Sequence, residues 1–456
     1  MPRRRCRRNL NGGNEVNPIF TVGGVAADFS QDTWWIWVIK AIAVVLFLIF
    51  SVIFALWFER RLIARMQNRL GPNTVGPLGL GQSFPDAIKL ILKEDFWLAG
   101  ADKVIYAIAP AISALCSFLV MAVIPVGPNV SIFGIYTPIQ LADSPVAMLF
   151  VLAAAALGEY GMVLGGWSAK STLPLYGSVR AATQMISYEL AQGLSLVTVF
   201  ITAATMSTSG IVNAQADLWN VVLLLPAFMI FFVTMFGGTN RLPFDLPEAE
   251  GEIVAGPHLE YSSMKFGWYY LAEYVNMLNM SMLATTLFFG GYRSGPILTW
   301  IFSLWGGNPN VGWFPVLVFV AKLWIFMAIF VWVRGTLLRF RYDQFMHLGW
   351  KGLIPAALGW LTIVMAVVGI NMVVRINMVP VLVILGVGYS LILLIWAFGD
   401  DTVKKTQQEI IDERESEEFD GFENGYPVPP LPGQHLPPSP RARSRSAADT
   451  QTIEEA

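Results

Sequence analysis

The sequence predicts an all-α, polytopic membrane helix bundle of about nine transmembrane helices plus one interfacial amphipathic helix. Three observations carry that prediction. Of 456 residues, 55% are hydrophobic and 14% charged, where a soluble chain carries roughly a quarter charged residues. Apolar runs of about 20 residues, enough to cross a ~30 Å hydrocarbon core as a helix, recur along the chain. The basic residues between those runs collect in alternate loops, as the positive-inside rule requires.

The runs fall near 34–57, 104–126, 145–166, 190–210, 218–237, 266–290, 313–337, 353–373 and 378–398. Trp34, Trp35, Trp37 and Trp57 bracket the first, as interfacial aromatics do. Pro110, Pro226 and Pro355 lie inside runs, where neighbouring helices can satisfy the freed carbonyls. Loops 58–103, 167–189, 238–265 and the 334–352 region hold fifteen Lys and Arg against two in the opposite loops. This bias places the N-terminus outside and the C-terminus in the cytoplasm. The arginines at 3–8 stand too far from Trp34 to count in the rule.

Three segments result. Residues 1–33 read as a flexible arm without the apolar stretch of a signal peptide. Residues 34–398 form the transmembrane domain. Residues 399–456, acidic, then Pro-rich, then Arg/Ser-rich, read as a disordered tail.

Composition also excludes functions. A net charge of −2 gives no basis for nucleic-acid binding. Cys6 and Cys116 cannot hold an iron–sulfur cluster, and His258, His347 and His435 are too scattered for a metal site. Glycine spacing in GPLGLG (76–81) does not fit a dinucleotide fold. Redox chemistry would need a centre on another chain.

The charged residues that remain stand out. RLPFDLPEAEGEIVAGPHLEY (241–261) crowds Asp245, Glu248, Glu250, Glu252 and Glu260 between two apolar runs. Packed carboxylates shielded from water raise one another's pKa towards neutral; an acidic solvated loop is the competing reading. Asp245 and Glu248 have capping-box spacing, with Pro247 in the first turn of a short helix. Glu159 lies in the third run among glycines, and an ionisable residue inside a membrane usually faces the bundle interior or water. In SVRAATQMISYELAQG (178–193), Arg180, Gln184 and Ser187 share one helix face and Glu189 the other, either buried or at an exposed helix end. Glu273 and Lys322 are further charges inside runs. ERRLIARMQNRLGPN (59–73) is either an inner-surface anchor or, with the amphipathic helix over FPDAIKLILKEDFWL (84–98), the mouth of a lipid-facing cavity. Arg334, Arg339 and Arg341 fit an anchor or a buried pairing with the acidic loop.

ERRLIARMQNRLGPN, QMISYE, NRLPFDLPEAE with the following EY and AEY, and RFRYDQFMHLGWK stand in an order and at spacings that resemble one family. It is the quinone-site membrane subunit, called H in bacteria, of respiratory complex I, the NADH-quinone oxidoreductase. The resemblance covers about 34–373, and it implies a quinone chamber completed by hydrophilic partner subunits. Those partners would carry FMN and the iron–sulfur clusters and take electrons from NADH; ubiquinone or menaquinone would be the substrate. Neighbouring membrane-arm subunits and the bilayer complete the implied contacts, in a bacterial cell membrane. By motif, Arg60, Arg61, Arg65, Gln67, Arg69, Phe244 and Arg334 would line the quinone path. Glu59, Glu159, Glu189, Arg241, Asp245, Glu248, Glu250, Glu252, Glu260 and Glu273 would form the proton path. Thr183, Gly251, Pro257 and Leu338 depart from the family pattern without removing a charge of it. The membrane subunit of a proton-linked hydrogenase complex and a stand-alone ion transporter are the alternatives. The ERR…RLGPN stretch argues against the first, and the lack of an inverted repeat against the second.

Overall fold

The computed structural model describes residues 27–132, 134–247, 254, 256–295, 299, 309–374 and 377–398. Glu248, Glu250 and Glu252, most of the expected arm and the whole expected tail lie outside them, as does the capping box that needs Glu248. Each of the nine apolar runs corresponds to a helix. Seven helices among the described residues are long and apolar enough to cross a membrane; the fold is that of a polytopic helical membrane protein.

The helix α1 (Trp34–Met66) has 33 residues, about 50 Å at 1.5 Å per residue. It outruns the apolar run because Glu59–Met66 is made of good helix formers. ERRLIARM is therefore the helix's last two turns rather than a loop. The chain leaves through Asn68 in the left-handed region (φ 55°). Next, α2 (Ser83–Leu92) exposes Phe84, Ile88, Ile91 and Leu92, as an interfacial helix should. It stops at Leu92, short of the expected 98, because Lys93 turns extended. Ser263 and Ser262 then reach back to the Leu90 and Glu94 carbonyls.

The helices α3 (Lys103–Val120) and α4 (Ala147–Ser168) pack without a gap. A Cβ on Gly161 would stand 2.6 Å from the Ala109 carbonyl oxygen, so only glycine allows this approach. Between them, β1 (Gly127–Ile132) and β2 (Ile135–Ile139) form an antiparallel hairpin that turns through Gly134. Sequence reasoning took this stretch as an uncharged loop. Its signal was the glycine between two short β-branched runs.

α5 (Thr172–Ala203) runs unbroken through both the QMISYE stretch and most of the 190–210 run, since no internal Gly–Pro signal stops it. It ends at Ala204 in the left-handed region. After α6 (Thr208–Ala214), the 218–237 run is split into α7 (Asn220–Leu223) and α8 (Leu225–Gly238). Pro226 lacks the N–H that a continuous helix would use. The Asn220 and Gln215 side chains donate to the Leu287 and Thr286 carbonyls and so tie the split segment to the end of α9, while the Asn220 N–H at the start of α7 donates to Gln215 Oε1.

α9 (Ser263–Phe288) is the polar member. It carries Lys265, Glu273, Asn276, Asn279 and Thr285, so its hydropathy falls below that of a lipid-facing span, yet it is buried along most of its length. It forms the bundle axis. α10 (Phe314–Thr336) follows. Its Lys322 donates to the carbonyls of Phe289, Gly291 and Arg293 at 2.6–2.9 Å, clamping the loop after α9. α11 (Tyr342–Val374) contains a π-turn at Leu348–Leu353. α12 (Met378–Phe398) ends the described chain. By compactness the chain divides after Leu391.

Contacts gather the basic loops at one end. Arg60 pairs with Asp86, Lys265 with Asp95, and Phe340 N–H donates to the Pro243 carbonyl. The opposite end holds the hairpin. There Lys40 pairs with Asp32 at 2.6 Å and donates to Thr137, which fastens the end of the N-terminal segment to α1.

Candidate functional site

Glu59 is 5% exposed, on the same buried face of α1 as Val52 and Ala55, and its surroundings explain how a carboxylate is kept there. Tyr274 of α9 donates its O–H to Glu59 Oε2 at 2.7 Å. Arg334, in the last turn of α10, binds Oε1. Arg241 Nη1 lies 3.5 Å from the same oxygen, while its Nε stands 2.6 Å from Glu273 Oε1. Consecutive helix residues point about 100° apart, and Arg241 fills the angle between Glu273 and Tyr274. Its guanidinium sits 4.3 Å from the Tyr274 ring centre. Burial alone would lower the Arg241 pKa; Glu273, Tyr274 and Glu59 outweigh it and hold the group above its ordinary value. A planar fork suits this post, because it meets two carboxylates with separate N–H groups.

Two cavities adjoin this cluster, and a third adjoins the second of them. The first, about 440 Å³, is walled by Glu59, Arg60, Ile63, Ala64, Arg69–Pro72, Tyr270, Tyr274 and Arg334. It combines apolar and cationic lining at the basic end of the bundle. The second is a small polar cavity of about 40 Å³. Glu273 and Glu159 line it, with Asn240, Ser113, Ser117 and His258. Glu159 Oε2 has no hydrogen-bond partner among the described residues, in a space large enough for water. The third, about 20 Å³, holds Glu189, Gln192 and Asn279, and shares Ala155 and Asn276 with the second. Glu189 also acts on Glu159 through its charge. The order Glu59, Arg241, Glu273, Glu159, Glu189 therefore runs from the open cavity into the bundle.

The loop leading from α8 is held by Gln184. Its side-chain amide donates to the Gly237 and Phe244 carbonyls and to Asn240 Oδ1, each at 2.9 Å. Its other end is pinned where Gly256 and Pro257 press on α5. A Cβ on Gly177 would stand 2.6 Å from Gly256 Cα. His258 follows, packed 4.8 Å from the Tyr269 ring, and burial pushes its pKa down to about 4, so it is neutral at pH 7. Tyr106 stacks on Tyr261 at 4.3 Å and donates to the Glu260 carbonyl. Burial raises the Tyr261 hydroxyl.

Residues 39–365 match the NADH dehydrogenase family. The chain belongs to that family. It is also 47% identical, over 420 residues and 91% of each chain, to a Streptomyces avermitilis protein named as the H subunit of NADH-quinone oxidoreductase. The family resemblance drawn from the motifs holds.

With the NADH dehydrogenase family in hand, the expected site residues can be placed. Arg60, Arg69, Arg334 and Glu59 meet at the open cavity. Arg61 donates to the Leu78 carbonyl and lies over Trp57, and Arg65 and Gln67 are exposed on the same end of α1. Phe244 stands apart, 4% exposed among Tyr188, Phe340 and Phe345. Glu159, Glu189 and Glu273 are half-buried and stand in a row with buried Arg241, and Asp245 is half-buried as well. Among the described residues Arg334 pairs with Glu59, because α1 and α10 adjoin at this end. The wall of the open cavity is also α1, α9 and α10 rather than α2. Sequence reasoning missed Tyr270, Tyr274, Gln184, Asn240 and His258. AEY was the available signal for Tyr274, but its partner lies 215 residues away.

Proposed function

We propose that this chain is the membrane subunit of a proton-translocating NADH:quinone oxidoreductase that walls the quinone chamber and carries the adjoining carboxylate path. The observation that carries the proposal is Arg241. It joins Glu59 on the cavity wall to Glu273 on the buried cavity. The name of the Streptomyces avermitilis relative supports it.

In this reading the quinone, ubiquinone or menaquinone, enters the open cavity from the bilayer beside Arg60. Electrons come from NADH through FMN and iron–sulfur clusters on hydrophilic partner subunits. Reduction alters charge and proton demand beside Glu59. Arg241 then redistributes between Glu59 and Glu273, and the change in field reaches Glu159 and Glu189. This is a coupling free energy between two sites. By the motif resemblance, Asp245, Glu248, Glu250, Glu252 and Glu260 belong to the same proton path. The basic end faces the cytoplasm of a bacterial cell, with the N-terminus outside.

Arg60→Ala tests the entrance. Use of long-chain quinone by the assembled complex falls, while NADH oxidation by a water-soluble artificial acceptor persists. Unchanged rates with both acceptors would reduce Arg60 to a surface anchor.

A further inference from the structure

Tyr270 is not needed to hold Glu59, yet it lies on the wall of the open cavity with its hydroxyl 3.3 Å from that of Tyr274. The two rings meet edge to face at 5.0 Å. Tyr270 also stacks on Phe266, one turn earlier on α9. Both hydroxyls thus occupy places in a row Tyr270, Tyr274, Glu59 along the wall of the cavity, which all three residues line.

Hydrogen-bond bookkeeping gives this line a direction. Ionised Glu59 accepts only, so Tyr274 must spend its proton on Oε2. The Tyr274 oxygen is left as an acceptor, and Tyr270 must donate to it. At its Tyr270 end the row then presents only lone pairs to the cavity. A quinone offers carbonyl acceptors and gains nothing there; a quinol offers an O–H and gains a bond.

From this geometry we infer that Tyr270, Tyr274 and Glu59 form a hydroxyl ladder that reads the redox state of a quinone in the cavity and delivers one of its protons. The inference rests on the quinone-chamber reading of that cavity. With a proton on Glu59 the ladder reverses: Glu59 donates to Tyr274, Tyr274 to Tyr270, and Tyr270 to a quinone oxygen. The partner subunits' NADH-driven chain supplies two electrons to the ring. One proton then moves by three concerted hops. The O–H bonds of Glu59, Tyr274 and Tyr270 break. New O–H bonds form on Tyr274, Tyr270 and the reduced quinone oxygen. The products are a ring hydroxyl donating to Tyr270 and a Glu59 carboxylate facing Arg241 and Arg334. In the structure Glu59 stands between Arg334 and Arg241. The second ring oxygen takes its proton elsewhere.

The test uses the assembled complex in native membrane vesicles. Tyr270→Phe keeps the ring on Phe266 and removes the hydroxyl. The inhibition constant of the quinol product should rise about fivefold, the loss of one neutral hydrogen bond, while KM for quinone stays within about twofold. Tyr274→Phe should do the same, and the double variant no more, because either change cuts the same line. A photoreactive quinone labelling 60–72 in the parent complex checks the chamber separately. Labelling with an unchanged quinol constant in Tyr270→Phe, or with quinone and quinol constants moving together, overturns the ladder alone. No labelling overturns the chamber, and the ladder with it.

Discussion

Arg241 concentrates the energetics of the site in one side chain. Its guanidinium and the carboxylates of Glu59 and Glu273 have lost most of their water, and such a group is stable only while its partners stay. Removing one partner of a buried pair typically costs about 3–5 kcal/mol, so side chains that keep the charge are the informative substitutions. Lysine keeps the charge but loses the rigid fork, whose separate nitrogens Nη1 and Nε reach Glu59 and Glu273. Arg241→Lys should therefore assemble and lose about tenfold in quinone reductase rate, with most of the loss in kcat. A wild-type rate would show that bridging the two carboxylates is immaterial.

At the scale of elements, close packing sets the path. Gly161 and Gly165 let α3 and α9 approach α4, and Gly177 lets the 256–258 turn rest on α5. Gly177→Ala has no room for its methyl, with Pro257 Cδ at 2.7 Å and Gly256 Cα at 2.6 Å. Overpacking of this kind costs about 1–3 kcal/mol. The displaced turn carries His258 out of the Glu159 cavity and frees the end of the acidic loop. Faster proteolysis within 248–260 of the Gly177→Ala complex is the expected result; parent rates would contradict this account of the loop.

The same elements show what was legible in the sequence. Long apolar runs announced α1, α3, α4, α10, α11 and α12, because hydropathy is a local property. The break between α7 and α8 needed Pro226 to be read together with the Asn220 and Gln215 side chains that tie the segment to α9. The burial of α9 was hidden because a polar helix reads alike whether it faces water or a protein interior. Charged residues inside or at the start of runs singled out Glu159, Glu189 and Glu273, and these line two neighbouring cavities. Their connection was not legible: Arg334 lies 275 residues from Glu59, and no spacing rule spans that distance. Phe244, placed by motif on the quinone path, turned out to belong to an aromatic cluster with Tyr188 and Phe345.

Over the whole molecule, the arrangement is an open cavity at the basic end, an ionic bridge and a row of carboxylates sinking into a bundle of helices. In the proposed function the electron donors lie on other chains. The row is useful only if events in the cavity and the state of the buried acids depend on each other. Glu189, farthest along the row and outside every ion pair described, isolates that dependence. Glutamine is nearly isosteric with glutamate, so Glu189→Gln spares packing while removing a titrating group.

The deciding measurement is made on membrane vesicles containing the Glu189→Gln complex. NADH oxidation with long-chain quinone, proton uptake into the vesicles, and NADH oxidation with a water-soluble acceptor are recorded together. Quinone reduction and proton uptake should fall together by about tenfold or more, while the water-soluble acceptor reaction stays at the parent rate. Parent rates of quinone reduction and proton uptake in the assembled variant would contradict the coupling of cavity and carboxylate row.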